Sequence, residues 1–102
     1  MPLVKVATLD QIPAGTALRV TIQAREIGLF NHGGTLFAIK NLCPHMGDAL
    51  HKGKVTAPGR VVCPGHAWHF DLATGKCTSG HAEASVRTYP VVVRDGEVLI
   101  EV

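Results

Sequence analysis

No stretch of 18 or more apolar residues occurs in this 102-residue chain, so no membrane span is expected. The N-terminus, Met1-Pro2-Leu3-Val4-Lys5-Val6, lacks the long apolar segment of a secretory signal and has no twin-arginine pair. Cysteine is scarce. Three residues, Cys43, Cys63 and Cys77, are an odd number, which argues against a disulfide framework and for a reducing, cytoplasmic compartment. Charge is scarce too: a net +2 is too small to suggest nucleic acid. No segment carries a helical apolar stripe over ten residues. There is no Ser/His/Asp set, no phosphate-binding glycine loop and no segment that would supply two histidines and a carboxylate to a catalytic iron. These absences weigh against an enzyme in its own right.

What is present is strand periodicity and turns, which predict one all-β domain. Val4-Lys5-Val6 and Ala17–Ile22 alternate, the second after the turn-forming Pro13-Ala14-Gly15. Ile27–Phe30 and Leu36–Ile39 flank Asn31-His32-Gly33-Gly34, a hairpin signal. Arg60-Val61-Val62 and Trp68-His69-Phe70 predict two more strands, with a turn at Thr74-Gly75. Tyr89–Val93 and Val98–Val102 are joined by Arg94-Asp95-Gly96, a second hairpin signal. A small antiparallel sandwich or open barrel fits this spacing, with one long insertion between strands.

The chemistry lies in that insertion. Cys43-Pro44-His45 is followed after 17 residues by Cys63-Pro64-Gly65-His66. Each loop offers one thiolate and one imidazole. Thiolate-rich zinc sites usually draw paired cysteines from one loop, whereas a single ion here would sit between two mixed clips. A two-iron cluster suits the pattern better, the cysteines holding one iron and the histidines the other. A zinc-stabilised interaction module is the remaining alternative. Pro44 and Pro64 stiffen the loops and remove a backbone donor beside each cysteine.

The segments Cys43–Leu50 and Cys63–Gly75, with the tail Tyr89–Val98, resemble the Rieske family, and in particular its small soluble ferredoxins. The resemblance implies the Rieske fold: an antiparallel β-sandwich basal part over about 1–42 and 76–102, and a cluster-binding subdomain over about 43–75. It implies one 2Fe–2S cluster per chain held by Cys43, His45, Cys63 and His66. It further implies a monomeric one-electron carrier, taking electrons from a flavin-dependent reductase and passing them to the terminal oxygenase of an aromatic-ring dioxygenase. The small subunit of an assimilatory nitrite reductase, acting with its large subunit, shares these motifs and stays open. Respiratory members of the family carry an extra cysteine in each loop, at places that look like Asp48 or its neighbours and Gly65. They carry Ser and Tyr where this chain has Trp68 and Phe70. Losing those hydroxyl donors points to the low end of the family range of about −150 to +300 mV. The family's covering loop, often Gly-Pro-Ala, looks like Gly80-His81-Ala82 here.

Partners are expected at the tip formed by the two loops, with Met46, Leu50, His51, Gly65 and Trp68 as a mostly apolar rim and Lys52 and Lys54 for steering. Between Cys43 and Thr78 the basic residues Lys52, Lys54, Arg60 and Lys76 outnumber Asp48 and Asp71, whereas the tail is mildly acidic. Cys77 is expected to be a small packed strand residue, and His32 and His51 surface residues.

Overall fold

The computed structural model describes residues 2–44, 47–57, 59–65, 67–79 and 84–102. Among these residues ten strands run in chain order: β1 Leu3–Thr8, β2 Ala17–Ile22, β3 Arg25–His32, β4 Thr35–Lys40, β5 Lys54–Thr56, β6 Arg60–Val62, β7 His69–Asp71, β8 Thr88–Tyr89, β9 Val91–Arg94 and β10 Glu97–Glu101. Two single 3₁₀ turns, Leu9–Gln11 and Leu50–Lys52, are the only helical pieces among the described residues. Three antiparallel sheets result, in the orders β1-β10-β9, β2-β3-β4-β8 and β5-β6-β7.

The middle sheet is covered on both faces, and strand alternation explains how. Leu18, Ile27, Leu29, Leu36 and Ala38 point into a core shared with Ala7, Val98 and Ile100 of the first sheet. Their neighbours Ala17, Phe30, Phe37 and Ile39 point the other way, into a second core with Leu50, Val61, Phe70 and Leu72. Side chains one residue apart on a strand face opposite sides. The continuous apolar runs at 27–30 and 36–39 are therefore a doubly buried sheet rather than a half-solvated one.

The two hairpins signalled in the sequence are formed, with Gly33-Gly34 and Asp95-Gly96 at positive φ in their turns. A third hairpin carried no such signal: β2 and β3 are joined by Gln23 at φ 51° and Ala24 at φ 67°. The strand expected over 89–93 is broken at Pro90. Tyr89 pairs with β4 of the middle sheet, whereas Val91 already pairs with β10 of the outer one. Proline has no N–H for a ladder, so it suits the step where the chain changes sheets. Strand β5 was not foreseen. No helix among the described residues is long and apolar enough to cross a membrane.

Candidate metal centre

Two loops enter the second core from opposite ends of the insertion, and their backbones close in the same way. In the first, Cys43 N–H donates to the Asp48 carbonyl at 2.8 Å and Gly47 N–H donates to the Cys43 carbonyl at 2.8 Å. In the second, Cys63 N–H donates to the Trp68 carbonyl at 2.7 Å and Ala67 N–H donates to the Cys63 carbonyl at 3.0 Å. Both are six-residue loops with the cysteine first. Both put their fifth residue at positive φ, Gly47 at 78° and Ala67 at 58°. The sequence hides this, because histidine is the third residue of one loop and the fourth of the other.

Cys43 and Cys63 are each 1% exposed and lie in the second core beside Phe30, Ile39, Val61 and Phe70. All three cysteines are thiols. His45 and His66, the other candidate ligands, lie outside the described residues, as do Met46 and the Gly80-His81-Ala82 stretch. The loops touch across Asp48, whose Oδ2 accepts from the Cys63 thiol at 3.9 Å. A Cβ built on Gly65 would collide with the same carboxylate, so a larger residue there would make the Asp48 side chain shift. Asp48 and Gly65, singled out as the places of the extra cysteines in respiratory relatives, thus face one another between the loops.

Cys77 is buried in the same core, bridges to Phe70 and holds its sulfur 3.4 Å from Ser79 Oγ, as a packed strand residue should. Ser79 Oγ also accepts the His69 N–H at 3.0 Å, which ties down the strand leaving the second loop. Phe70 is fully buried and Trp68 is half-buried against the core. Lys52 and Lys54 are exposed.

Two expectations need correction. Leu50 is 0% exposed and so is no rim residue: the 3₁₀ turn that it opens points it into the core. The exposed apolar side chain at this edge is instead Leu42, 41% exposed and immediately before Cys43. Its signal was an apolar residue next to a ligand loop, outside the strand pattern. His51, expected at the surface, is half-buried and bonded to Asn41. Burial holds its ring below the usual imidazole value of 6.5, helped by the positive charges of Lys52 and Arg19 and opposed by Glu26. Asn41, which the sequence did not mark, is the one buried polar residue among those described.

Residues 3–90 match the Rieske 2Fe-2S domain family. The chain belongs to that family. Its cofactor is accordingly a 2Fe–2S cluster. The 3-phenylpropionate/cinnamic acid dioxygenase ferredoxin subunit of Photorhabdus laumondii is 36% identical over 95% of this chain and 91% of its own length. Among solved structures, the ferredoxin of carbazole 1,9a-dioxygenase from Nocardioides aromaticivorans superposes with a TM-score of 0.90 at 35% identity, covering 98% of this chain and 97% of that one. A protein described as the small subunit of an NADPH nitrite reductase superposes with a TM-score of 0.89 at 22% identity, over 100% of both chains, a likeness of fold alone. The donor set fits the Rieske cofactor: each loop supplies one buried thiol and carries one histidine in its sequence.

Proposed function

We propose that this protein is a soluble, low-potential one-electron carrier serving the terminal oxygenase of an aromatic-ring dioxygenase. The carrying observation is the pair of equivalent loops, each presenting a buried cysteine at its first position. Cys43 and Cys63 would hold one iron, and His45 and His66 the other. Residues 43–75 would form the cluster-binding subdomain on a basal part made of 1–42 and 76–102. The cluster, when bound, supplies reversible uptake of a single electron at a potential set by its ligands and their surroundings.

The chain's own residues explain the rest. The second core excludes water from both cysteine sulfurs, and Pro44 and Pro64 keep the loop tips short and stiff. Phe70 offers no hydroxyl, and the Asp48 carboxylate places negative charge near Cys63, which disfavours an added electron. Both features support a potential near the low end of the family range. Leu42, Pro44, Pro64 and Gly65 of the two loops are exposed and apolar, with the half-buried Asp48 carboxylate against Gly65. Electron-transfer contacts are small, typically below ~1,200 Å², which suits weak docking and rapid release. The choice of acceptor rests on the relatives: those at 35–36% identity are dioxygenase ferredoxins.

The test is a reconstituted transfer assay. Purified protein is mixed with a flavin-dependent reductase and either a ring-hydroxylating oxygenase or a nitrite reductase large subunit. Substrate-dependent turnover with the oxygenase supports the proposal, and turnover with the nitrite reductase alone refutes it. A colourless preparation containing zinc and no sulfide would refute the carrier reading altogether. Charge reversal, Lys52→Glu with Lys54→Glu, should slow transfer at low salt and leave it unchanged at high salt if these lysines steer the partner.

A further inference from the structure

We propose that Asn41 and His51 are positioning residues for the first ligand loop: the asparagine amide clasps both ends of that loop, and its grip requires a neutral His51 ring accepting at Nδ1. The proposal rests on the carrier reading only for what the loop holds.

The hydrogen bonds leave one assignment. His51 N–H donates to Asn41 Oδ1 at 2.7 Å, which fixes which end of the amide is oxygen. The atom 2.8 Å from His51 Nδ1 is then Asn41 Nδ2, a donor. Nδ1 must accept, so the ring proton sits on Nε2. Asn41 backbone N–H donates to the Glu26 carbonyl at 3.0 Å, which anchors the backbone of this residue on the middle sheet. Residue 28 makes room for it: a Cβ there would lie 3.2 Å from Asn41 Oδ1 and 2.9 Å from Phe30. Asn41 is 2% exposed, so the amide has no water to fall back on.

The clasp matters because the two loops differ at the stem. The second loop leaves β6 and returns on β7, and the pair Val62↔His69 lies directly outside it. The first leaves β4 and returns through the 3₁₀ turn Leu50–Lys52, and among the described residues no strand pairing spans 41 to 51. One amide replaces a ladder.

Protonating Nδ1 would set two donors against each other and leave only the backbone bond. The groups around the ring bear on this. Lys52 from the 3₁₀ turn and Arg19 from β2 oppose the cation, Glu26 from β3 favours it, and burial opposes it most. His32 of β3 and Lys54 of β5 share with His51 a cleft of about 340 Å³, through which a proton can arrive. A folded-state value below that of the unfolded chain means stability that is complete above the ordinary imidazole value and lost as pH falls through the lowered one. Acid should therefore loosen the first loop before the second.

The experiment follows release of the cluster from the loaded protein to a chelator, by visible absorption and circular dichroism, from about pH 7.5 to about pH 5.5, a window that spans the imidazole range. Amide hydrogen exchange compares 42–50 with 63–68. In the wild type, release should quicken as pH falls, by up to roughly tenfold per unit above the His51 transition, and exchange should rise in 42–50 first. His51→Phe keeps the backbone bond and the ring volume but removes the acceptor. It should release faster at the upper pH and show a flatter profile. Asn41→Asp presents a carboxylate oxygen to Nδ1, which then prefers the protonated ring, so its slope should reverse. A His51→Phe profile as steep as the wild type's would overturn the proposal, as would wild-type exchange over 42–50 in Asn41→Ala. If Asn41→Asp does not fold, the His51→Phe slope decides. A wild-type protein without a 2Fe–2S spectrum would strike the carrier reading instead, and the exchange comparison would still judge the clasp.

Discussion

The two ligand loops share one backbone closure but not one support. Cys63 sits between two paired strands, so the second loop inherits the rigidity of a sheet. Cys43 follows the end of β4, and what closes its loop is a side-chain clasp and a buried leucine. Local stability in proteins tracks such differences: segments held by few bonds open at lower cost than those within a ladder. Similar geometry at the tip therefore conceals unequal stems, and substitutions should affect the two loops unequally everywhere except at the ligands.

The proposed ligands come first because their effect should be largest. Cys43→Ser and Cys63→Ser should each abolish the visible spectrum and the bound iron. A cofactor present at 1,000 times its dissociation constant adds about 4 kcal/mol to apparent stability, and either change should forfeit an amount of that order. Cys77→Ser, in the same core, should keep the spectrum, with a small loss from packing and the Ser79 contact. Iron and sulfide analysis checks all three. Bleaching by Cys77→Ser would mean that the third thiol is more than a packed residue.

Next come the stems. Asn41→Ala removes two hydrogen bonds and strands partners in a partly buried site, at a cost of about 1–3 kcal/mol. Val62→Ala, at the stem of the second loop, removes apolar contact only and keeps the backbone ladder, so about 1–2 kcal/mol is expected. The sharper readout is location. Exchange should rise over 42–50 for the first variant and stay low over 63–68 for both. Equal opening of both loops in Asn41→Ala would erase the contrast.

The contact between the loops comes third. Asp48→Asn keeps the shape and removes the charge beside Cys63. Its effect on the potential should be upward by tens of millivolts, since roughly 1 kcal/mol of charge interaction corresponds to about 40 mV for one electron. Voltammetry on the loaded protein measures it, and an unchanged value would mean that solvent screens the carboxylate. Phe70→Tyr is a weaker donor experiment than the sequence suggested. Phe70 is fully buried, so the added hydroxyl must displace its neighbours, a cost of about 1–3 kcal/mol that could mask any gain in potential.

Much of this was legible beforehand. The two loops that close alike each begin at a cysteine marked by its Cys/His spacing, and most strands follow alternation, because both are local patterns; the ligand roles of Cys43, His45, Cys63 and His66 belong to the proposed function. The clasp was not legible, because it joins residues ten apart through one amide and nothing in Lys40-Asn41-Leu42 marks it. The double burial of the middle sheet was hidden for a related reason: an apolar run at 27–30 fits one buried face or two, and only the third sheet decides. The hairpin at Gln23-Ala24 was missed since turn chemistry there runs against residue preference. Leu50 was misplaced because nearness in sequence to a ligand does not fix which way a 3₁₀ turn points its side chain.

The smallest effects test the shared closure itself. Gly47 at φ 78° and Ala67 at φ 58° occupy the same place in the two loops, but only one is glycine. The left-handed region costs an L-residue roughly 1–2 kcal/mol, so Ala67 carries strain that Gly47 avoids. Glycine also loses more freedom on folding, a penalty of about 0.4–1 kcal/mol that partly offsets the relief. Ala67→Gly should therefore stabilise the protein by up to about 1.5 kcal/mol. Gly47→Ala should destabilise it by a similar amount, for conformational reasons: among the described residues a Cβ there meets nothing nearer than Leu42 Cδ1 at 3.7 Å. Denaturant midpoints with unchanged slopes provide the measurement. Opposite signs of similar size mean that the two closures are one conformation used twice. Two losses of stability would mean that Ala67 makes a contact its methyl group cannot spare, and that the loops differ at the tip as well as at the stem.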